Sequence, residues 1–210
     1  MTLPDRHLDL GCGPVPRNPY ARGQLCGIDI RPPDGDVAFE HRSANLALEP
    51  IPYPDSSFGS VSAYDFLEHV PRIFPSADGR DTIFPFVRLM QDIWRVLAPG
   101  GRLYALTPAW PHAEAFVDPT HVNFITAESH SYFCGENPKG RMYGFDGRFD
   151  VIRVAWVERA EAYSAIPGSS ENHRPLKRLS RRLRRWSRWL RGKRASASPG
   201  YLLWELEARK

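Results

Sequence analysis

Asp118-Pro119-Thr120-His121-Val122-Asn123-Phe124 places a histidine three residues after a carboxylate, with a proline stiffening the chain between them. An imidazole oriented by a carboxylate can take a proton from a reacting group near neutral pH. The same two side chains could equally pin their loop by hydrogen bonds, and both readings stand. A second pair, Glu68-His69, makes His69 another candidate base. Trp110, His112, Tyr132 and Phe133 surround the first pair in sequence and could line a pocket or pack a core. Asp118 and His121 would offer a divalent ion two ligands, too few for a site, so no metal is expected. Cys12, Cys26 and Cys134 are widely spaced and form no CxxC pair, which argues against a zinc cluster or a disulfide framework and for a reducing cytoplasm.

A different chemistry begins at His7-Leu8-Asp9-Leu10-Gly11-Cys12-Gly13. An apolar run ending in two glycines gives a turn with little side-chain bulk, where backbone can approach a ligand. Asp29 closes the next apolar run, and an acid there can bond the hydroxyls of a ribose. A dinucleotide site would need a third glycine opening a helix. Pro14, Val15 and Pro16 follow instead, so a ligand without a pyrophosphate fits better, and no Walker A pattern occurs.

The elements that must position these residues alternate. Strands are expected at His7–Leu10, Gln24–Ile30, weakly around Val37-Ala38-Phe39, at Phe58–Tyr64 and at Gly101–Thr107. Asp81–Leu97 has apolar residues at a helical period, stopped by Pro99-Gly100-Gly101. The connection from Gly13 to Asp29 is short, so the first crossover helix should be reduced or lost. Phe149–Val157 and Tyr201–Ala208 read as strands that could pair antiparallel. The expected fold is α/β: a doubly wound, mostly parallel seven-stranded sheet with an antiparallel last strand, in one domain over 1–210. Residues 108–148 break the rhythm, as a functional insertion would.

Taken in order, these segments resemble the class I (Rossmann-like) S-adenosylmethionine (SAM)-dependent methyltransferase superfamily, of the type-11-like kind. Leu8–Gly13 is similar to its motif I, and Ile28-Asp29-Ile30 to its ribose-binding stretch. Ser43-Ala44-Asn45-Leu46 stands where the family contacts adenine. Pro54-Asp55-Ser56-Ser57-Phe58 through Phe66-Leu67-Glu68-His69-Val70 resembles P-D-x-S-F-D…L-E-H-[IV], with Gly59 in place of the usual Asp. Arg95–Gly101 resembles R-V-L-K-P-G-G. The resemblance implies SAM as cofactor. It implies Asp9, Gly11 and Gly13 at the aminoacyl end, Asp29 and Ile30 at the ribose, Asn45 and Leu46 at adenine, and Tyr64 near the sulfonium. The Asp-Pro-Thr-His stretch resembles a bacterial subgroup linked to cell-surface glycan or lipid-linked sugar pathways. The amine-methylating signature [DNS]-P-P-[YFW] is replaced by Ala63-Tyr64-Asp65-Phe66, which tilts the acceptor towards oxygen.

Charge is concentrated in one place. Residues 174–194 hold 11 Lys or Arg and no acid, leaving 17 basic against 24 acidic residues elsewhere. Leu176, Leu179, Leu183, Trp186 and Leu190 recur at helical spacing inside that run, which lies in a basic insertion (172–198) between the last two strands. A cationic amphipathic helix suits an anionic membrane surface at the cytoplasmic face, RNA phosphates less well, or the protein's own acidic body. The leading expectation is an O-methyltransferase for a small-molecule, sugar, glycan or lipid-linked acceptor. The alternatives are an RNA- or ribosome-associated methyltransferase and a SAM-binding protein without catalysis.

Overall fold

The computed structural model describes residues 2–163 and 200–210, with the side chains of residues 161 and 162 excepted. The basic stretch 174–194 and its expected helix lie outside the described residues. Seven strands form one sheet: β1 (Arg6–Leu10), β2 (Gln24–Asp29), β3 (Glu40–Ser43), β4 (Phe58–Tyr64), β5 (Leu97–Pro108), β6 (Phe149–Val157) and β7 (Tyr201–Ala208). Their spatial order is β3-β2-β1-β4-β5-β7-β6. The first five pair in parallel, while β7 runs antiparallel to both β5 and β6. This is the expected mostly parallel sheet with one antiparallel strand.

Alternation along each strand divides the two faces. Leu8, Leu10, Val61, Ala63, Leu103, Ala105, Trp204 and Leu206 point into the main core. Helix α1 (Pro85–Val96) covers that face with Phe86, Leu89, Met90, Ile93 and Val96, a three-and-four spacing that makes a single apolar stripe. Burying each such side chain stabilises by roughly 1.5–3 kcal/mol. The opposite face carries His7, Asp9, Ser60, Ser62, Tyr64, Tyr104 and Glu205, all buried.

Residues 14–23 contain no helix. They fold back on themselves instead: the Asn18 amide bonds the Arg22 carbonyl (2.8 Å) and accepts from its N–H (3.0 Å). The Tyr20 hydroxyl reaches Glu205 on β7 at 2.9 Å. The expected loss of the first crossover helix therefore holds.

Three boundaries differ clearly from the sequence reading. The strand expected from Gly101 begins at Leu97, so Pro99-Gly100-Gly101 lies within β5 and the helix ends before it, at Val96. The third strand forms at Glu40–Ser43, not at Val37–Phe39. It is an edge strand, and its register against Cys26–Asp29 selects charged residues that water can reach. Helix α1 begins at Pro85, not at Asp81. Proline at the first helical position has its φ preset and no N–H to satisfy, whereas Thr82–Ile83 pair with Phe74–Pro75 as a short antiparallel ladder.

Arg95, near the end of α1, joins two of the ordered sequence motifs. Its guanidinium donates to the carbonyls of Ile51 (2.8 Å) and Tyr53 (2.7 Å) and to Asp92 (2.8 Å) and Asp55 (3.0 Å). The arginine of the R-V-L-x-P-G-G segment thus holds the proline-punctuated loop before β4. Beyond β5, Ile125, Phe133 and Phe145 anchor the irregular 108–148 stretch in the main core.

Candidate active site

The carboxyl end of β1 turns at Gly11 (φ +65) and Gly13 (φ +54), a left-handed conformation that disfavours any side chain. The N–H groups of Gly11 and Cys12 both donate to the Ile28 carbonyl, at 2.8 and 3.1 Å, which keeps the turn beside β2. A Cβ on Gly11 would stand 2.6 Å from the Phe66 ring, so this glycine admits the β4 loop. A Cβ on Gly13 would meet nothing within 4 Å, so this glycine borders open space. Asp29 spans the two loops, accepting from the Gly13 N–H at 3.0 Å and the Arg31 N–H at 3.1 Å. Each carboxylate oxygen keeps a further lone pair for a ligand hydroxyl. Beside it Ile30 is 60% exposed, an apolar surface in water on which a flat base can lie. An acid at a strand end, an open glycine turn and an exposed apolar neighbour together fit an adenosine-containing cofactor.

Other residues assigned to the cofactor from sequence are more enclosed. Asp9 is buried, accepting from Ser62 Oγ at 2.5 Å and from the Arg17 N–H at 2.7 Å. Burial pushes its carboxyl up to about 7. His7 lies between Ser60 and Ser62, at 2.8 Å from each. Since Ser62 gives its proton to Asp9, it accepts from His7 Nε2–H, and His7 Nδ1 accepts from Ser60. Burial lowers this imidazole to about 3, so it stays neutral. The chain His7–Ser62–Asp9–Arg17 ties the glycine turn to the loop that replaces the missing helix. Asn45 caps its own turn through the Ala47 N–H at 3.1 Å, and Leu46 is part of the main core. The Tyr64 ring packs on Tyr104 (5.6 Å) and Tyr163 (5.1 Å), with the Arg17 guanidinium 5.1 Å from it. Tyr163 and Arg159 both bond Asp65, Arg159 at 2.7 Å, and so bring the chain after β6 over this corner. Arg17, Arg159 and Tyr163 had no signal in the sequence, since their partners lie far away along it.

The second cluster forms where the loop after β5 docks on the loop after β4. The N–H groups of Val122 and Asn123 both donate to the Glu68 carbonyl at 2.9 Å. Asn123 Nδ2 donates to Leu67 O at 3.0 Å, and Arg72 Nε donates to Asn123 Oδ1 at 2.6 Å. This brings the His69 and His121 rings to 4.8 Å between centroids.

The expected Asp118–His121 pair is not hydrogen-bonded: Asp118 Oδ2 is 3.9 Å from His121 Nε2. Asp118 instead accepts from the Thr120 N–H (2.8 Å) and hydroxyl (2.7 Å), contacts that hold its carboxyl below the usual range. The three-residue spacing favoured this short turn over the imidazole. His121 is oriented by its Nδ1–H donating to the Ala115 carbonyl at 3.2 Å. His69 Nδ1 faces Thr120 Oγ1 at 2.9 Å and Thr120 O at 3.3 Å. Because the Thr120 proton goes to Asp118, His69 Nδ1 is the donor. Both imidazoles therefore carry their proton on Nδ1 and present a free Nε2 lone pair.

Glu68 is 1% exposed. Its Oε2 accepts from Thr107 Oγ1 on β5 at 2.9 Å, while Oε1 has no partner. Burial raises its carboxyl to about 8. An acid following a hydrophobic run gave no sign of that isolation.

Residues 8–105 match the family model of the methyltransferase domain. The match takes in the β1 turn, Asp29 and Glu68-His69, and it agrees with the resemblance of these segments to the class I, SAM-dependent methyltransferases. No curated protein matches the chain. Among solved structures, the methyltransferase of the Haloferax volcanii complex with the Trm112 methyltransferase activator is 16% identical, with a TM-score of 0.55, covering 100% of this chain and 86% of that one. The [4+2]-cyclase SpnF is 18% identical at a TM-score of 0.52, covering 100% and 77%. A Bacillus halodurans C-125 protein described as a methyltransferase is 12% identical at 0.51, covering 98% and 93%. Identities this low establish the fold, and the fold alone leaves the acceptor to the site.

Proposed function

We propose that this protein transfers the methyl group of SAM to a hydroxyl oxygen of a sugar, glycan or lipid-linked acceptor, at the cytoplasmic face of a membrane. The reading is carried by the convergence of His69 and His121 beside Glu68, after the carboxyl ends of β4 and β5. That cluster begins two residues beyond Phe66, the ring against which the Gly11 turn packs.

SAM would supply an electrophilic methyl on a sulfonium. Asp29 holds the ribose and Ile30 supports the base, while Gly11 and Gly13 let the backbone close on the remainder. An acceptor hydroxyl donates to an Nε2 lone pair of His121 or His69, and the imidazole takes its proton as the oxygen becomes nucleophilic. Ala115 and Thr120 fix the two rings for that role.

Two further observations favour this acceptor class. Ala63–Phe66 offers no N-P-P-Y-type clamp for a planar amine. Phe116, Val117, Val122 and Phe124 are exposed around His121, with the Phe116 and Phe124 rings 5.1 Å apart, a surface suited to the apolar part of a lipid-linked sugar.

The test is transfer of a radiolabelled methyl group from SAM to a cell-envelope lipid extract, to polysaccharide and to RNA in parallel. Label in the extract or polysaccharide that survives as a methyl ether on hydrolysis supports the proposal. Label confined to RNA overturns it.

A further inference from the structure

Glu68, His69 and His121 hold more than the two imidazoles that proton transfer would need. One ligand-capable atom from each lies within 4.8 Å of the others. Two nitrogens and a carboxylate oxygen form the donor set of a borderline divalent cation. The expectation of no metal rested on Asp118 and His121. The structure keeps Asp118 at 3.9 Å from His121 Nε2, bonded to Thr120, and brings in Glu68 and His69 from across the β4–β5 junction.

The hydrogen bonds around the cluster leave the right atoms free. Ala115 O accepts from His121 Nδ1–H, and Thr120 accepts from His69 Nδ1–H. Ligating histidines are commonly oriented through their distal ring nitrogen by such carbonyl or hydroxyl acceptors. Asp118 polarises the Thr120 hydroxyl in turn. Glu68 Oε1, buried and unpartnered, would otherwise leave an unsatisfied polar atom in the interior. Thr107 holds the other oxygen, so Glu68 would bind through one oxygen only.

We infer that Glu68, His69 and His121 form a binding site for a divalent transition-metal ion, with zinc the best match to its two nitrogens and one oxygen. Ligand atoms about 2.1 Å from a tetrahedral ion are roughly 3.4 Å apart, so atoms as far as 4.8 Å apart must draw in by up to about 1.4 Å. The His121 side chain is 10% exposed and held by Ala115, so the adjustment falls mainly on the more open His69. Three protein ligands leave a fourth position open to an oxygen donor. Its assignment to the acceptor hydroxyl rests on the proposed function; the binding of the ion does not. With both Nε2 lone pairs coordinated, the ion makes that hydroxyl more acidic in place of an imidazole base.

The full chain, stripped with a chelator and dialysed, would be titrated with zinc chloride by calorimetry. Cobalt(II) would be added in parallel, because its visible ligand-field absorption reports coordination number. The expected result is one ion per chain in the micromolar range or tighter, with a four- or five-coordinate cobalt spectrum. His69→Ala and His121→Ala should each weaken binding at least tenfold, and Glu68→Gln should as well, while His130→Ala should not. Glu68 is also a buried partner of Thr107, so the two histidine variants carry the decision, each checked by circular dichroism. Absence of stoichiometric binding, or binding unchanged in both histidine variants, overturns the site. Methyl transfer by a chelated enzyme that binds no zinc would remove the metal and leave the proposed function. A bound ion in a protein that methylates only RNA would do the reverse.

Discussion

Alanine at Gly11 and at Gly13 should separate stability from cofactor affinity. Both glycines have positive φ, so each substitution carries a left-handed penalty of about 1 kcal/mol. At Gly13 nothing stands within 4 Å of the new Cβ, and no further cost to folding follows. At Gly11 the Cβ would be 2.6 Å from Phe66 Cδ2, 3.1 Å from Cγ and 3.4 Å from Cβ. Turning the ring clears only the first of these, so an overpacking term of about 2 kcal/mol is added. Gly11→Ala should therefore cost about 3 kcal/mol in all, near 10 °C of melting temperature for a chain of this length, and Gly13→Ala about 3 °C. The Gly13 methyl would project into the space assigned to the cofactor, so Gly13→Ala should weaken SAM binding at least tenfold by calorimetry. Gly100→Ala is the matched control, with φ +78, open space around its Cβ and a position near the start of β5, where the register against β4 shifts, at the opposite end of the sheet from the β1 turn. It should lose about 3 °C and keep its affinity for SAM. Unchanged SAM affinity in Gly13→Ala, or an equal loss in Gly100→Ala, would refute the placement of the cofactor at this turn.

Asp29→Ala should weaken SAM binding about tenfold or more, because hydroxyl bonds to a carboxylate are charge-assisted; calorimetry with unchanged affinity would contradict the ribose assignment. His121→Ala should lower turnover while leaving the SAM dissociation constant unchanged, read by single-turnover transfer and calorimetry. Asn123→Ala should destabilise by about 2 kcal/mol, since Leu67 O and Arg72 would each lose a partner. Turnover should fall with it as the two imidazoles part, and thermal melts beside rate measurements would check both. The folded pKa of Glu68 lies above its ordinary value, so the native state binds an extra proton, and stability falls as pH rises from about 4.5 towards about 8. With chelator present, Glu68→Gln should lose less melting temperature than wild type between pH 5 and pH 8; equal losses would show that burial does not perturb this acid.

Much of the sheet could be read from residue pattern because buried strands and glycine turns leave local marks. His7–Leu10, Phe58–Tyr64 and Tyr201–Ala208 carry apolar alternation or runs set by the core. The edge strand was displaced because its exposed side chains carry no such mark, and register against β2 chose them. The candidate cofactor turn was legible because strand ends mark its parts, Gly11 and Gly13 after β1 and Asp29 at the end of β2. The site was obscured where parts come from different loops: Asp118 was paired with the histidine nearest in sequence, while the contacts in space put Glu68 and His69 beside His121. Spacing along the chain records neighbours within a turn but not the docking of one loop on another, which Asn123 and Arg72 accomplish.

The pairing of Val157 with Tyr201 gives the fold a modular joint. The chain leaves the sheet at Val157 and rejoins it directly opposite, at Tyr201, so the two ends of the connection are already held together by the ladder. Doubling a flexible loop costs only about 0.6 kcal/mol. Residues inserted between positions 163 and 200 should therefore leave the ladder between β6 and β7 in register. Substitutions in that connection and in the sheet are then free to accumulate at different rates.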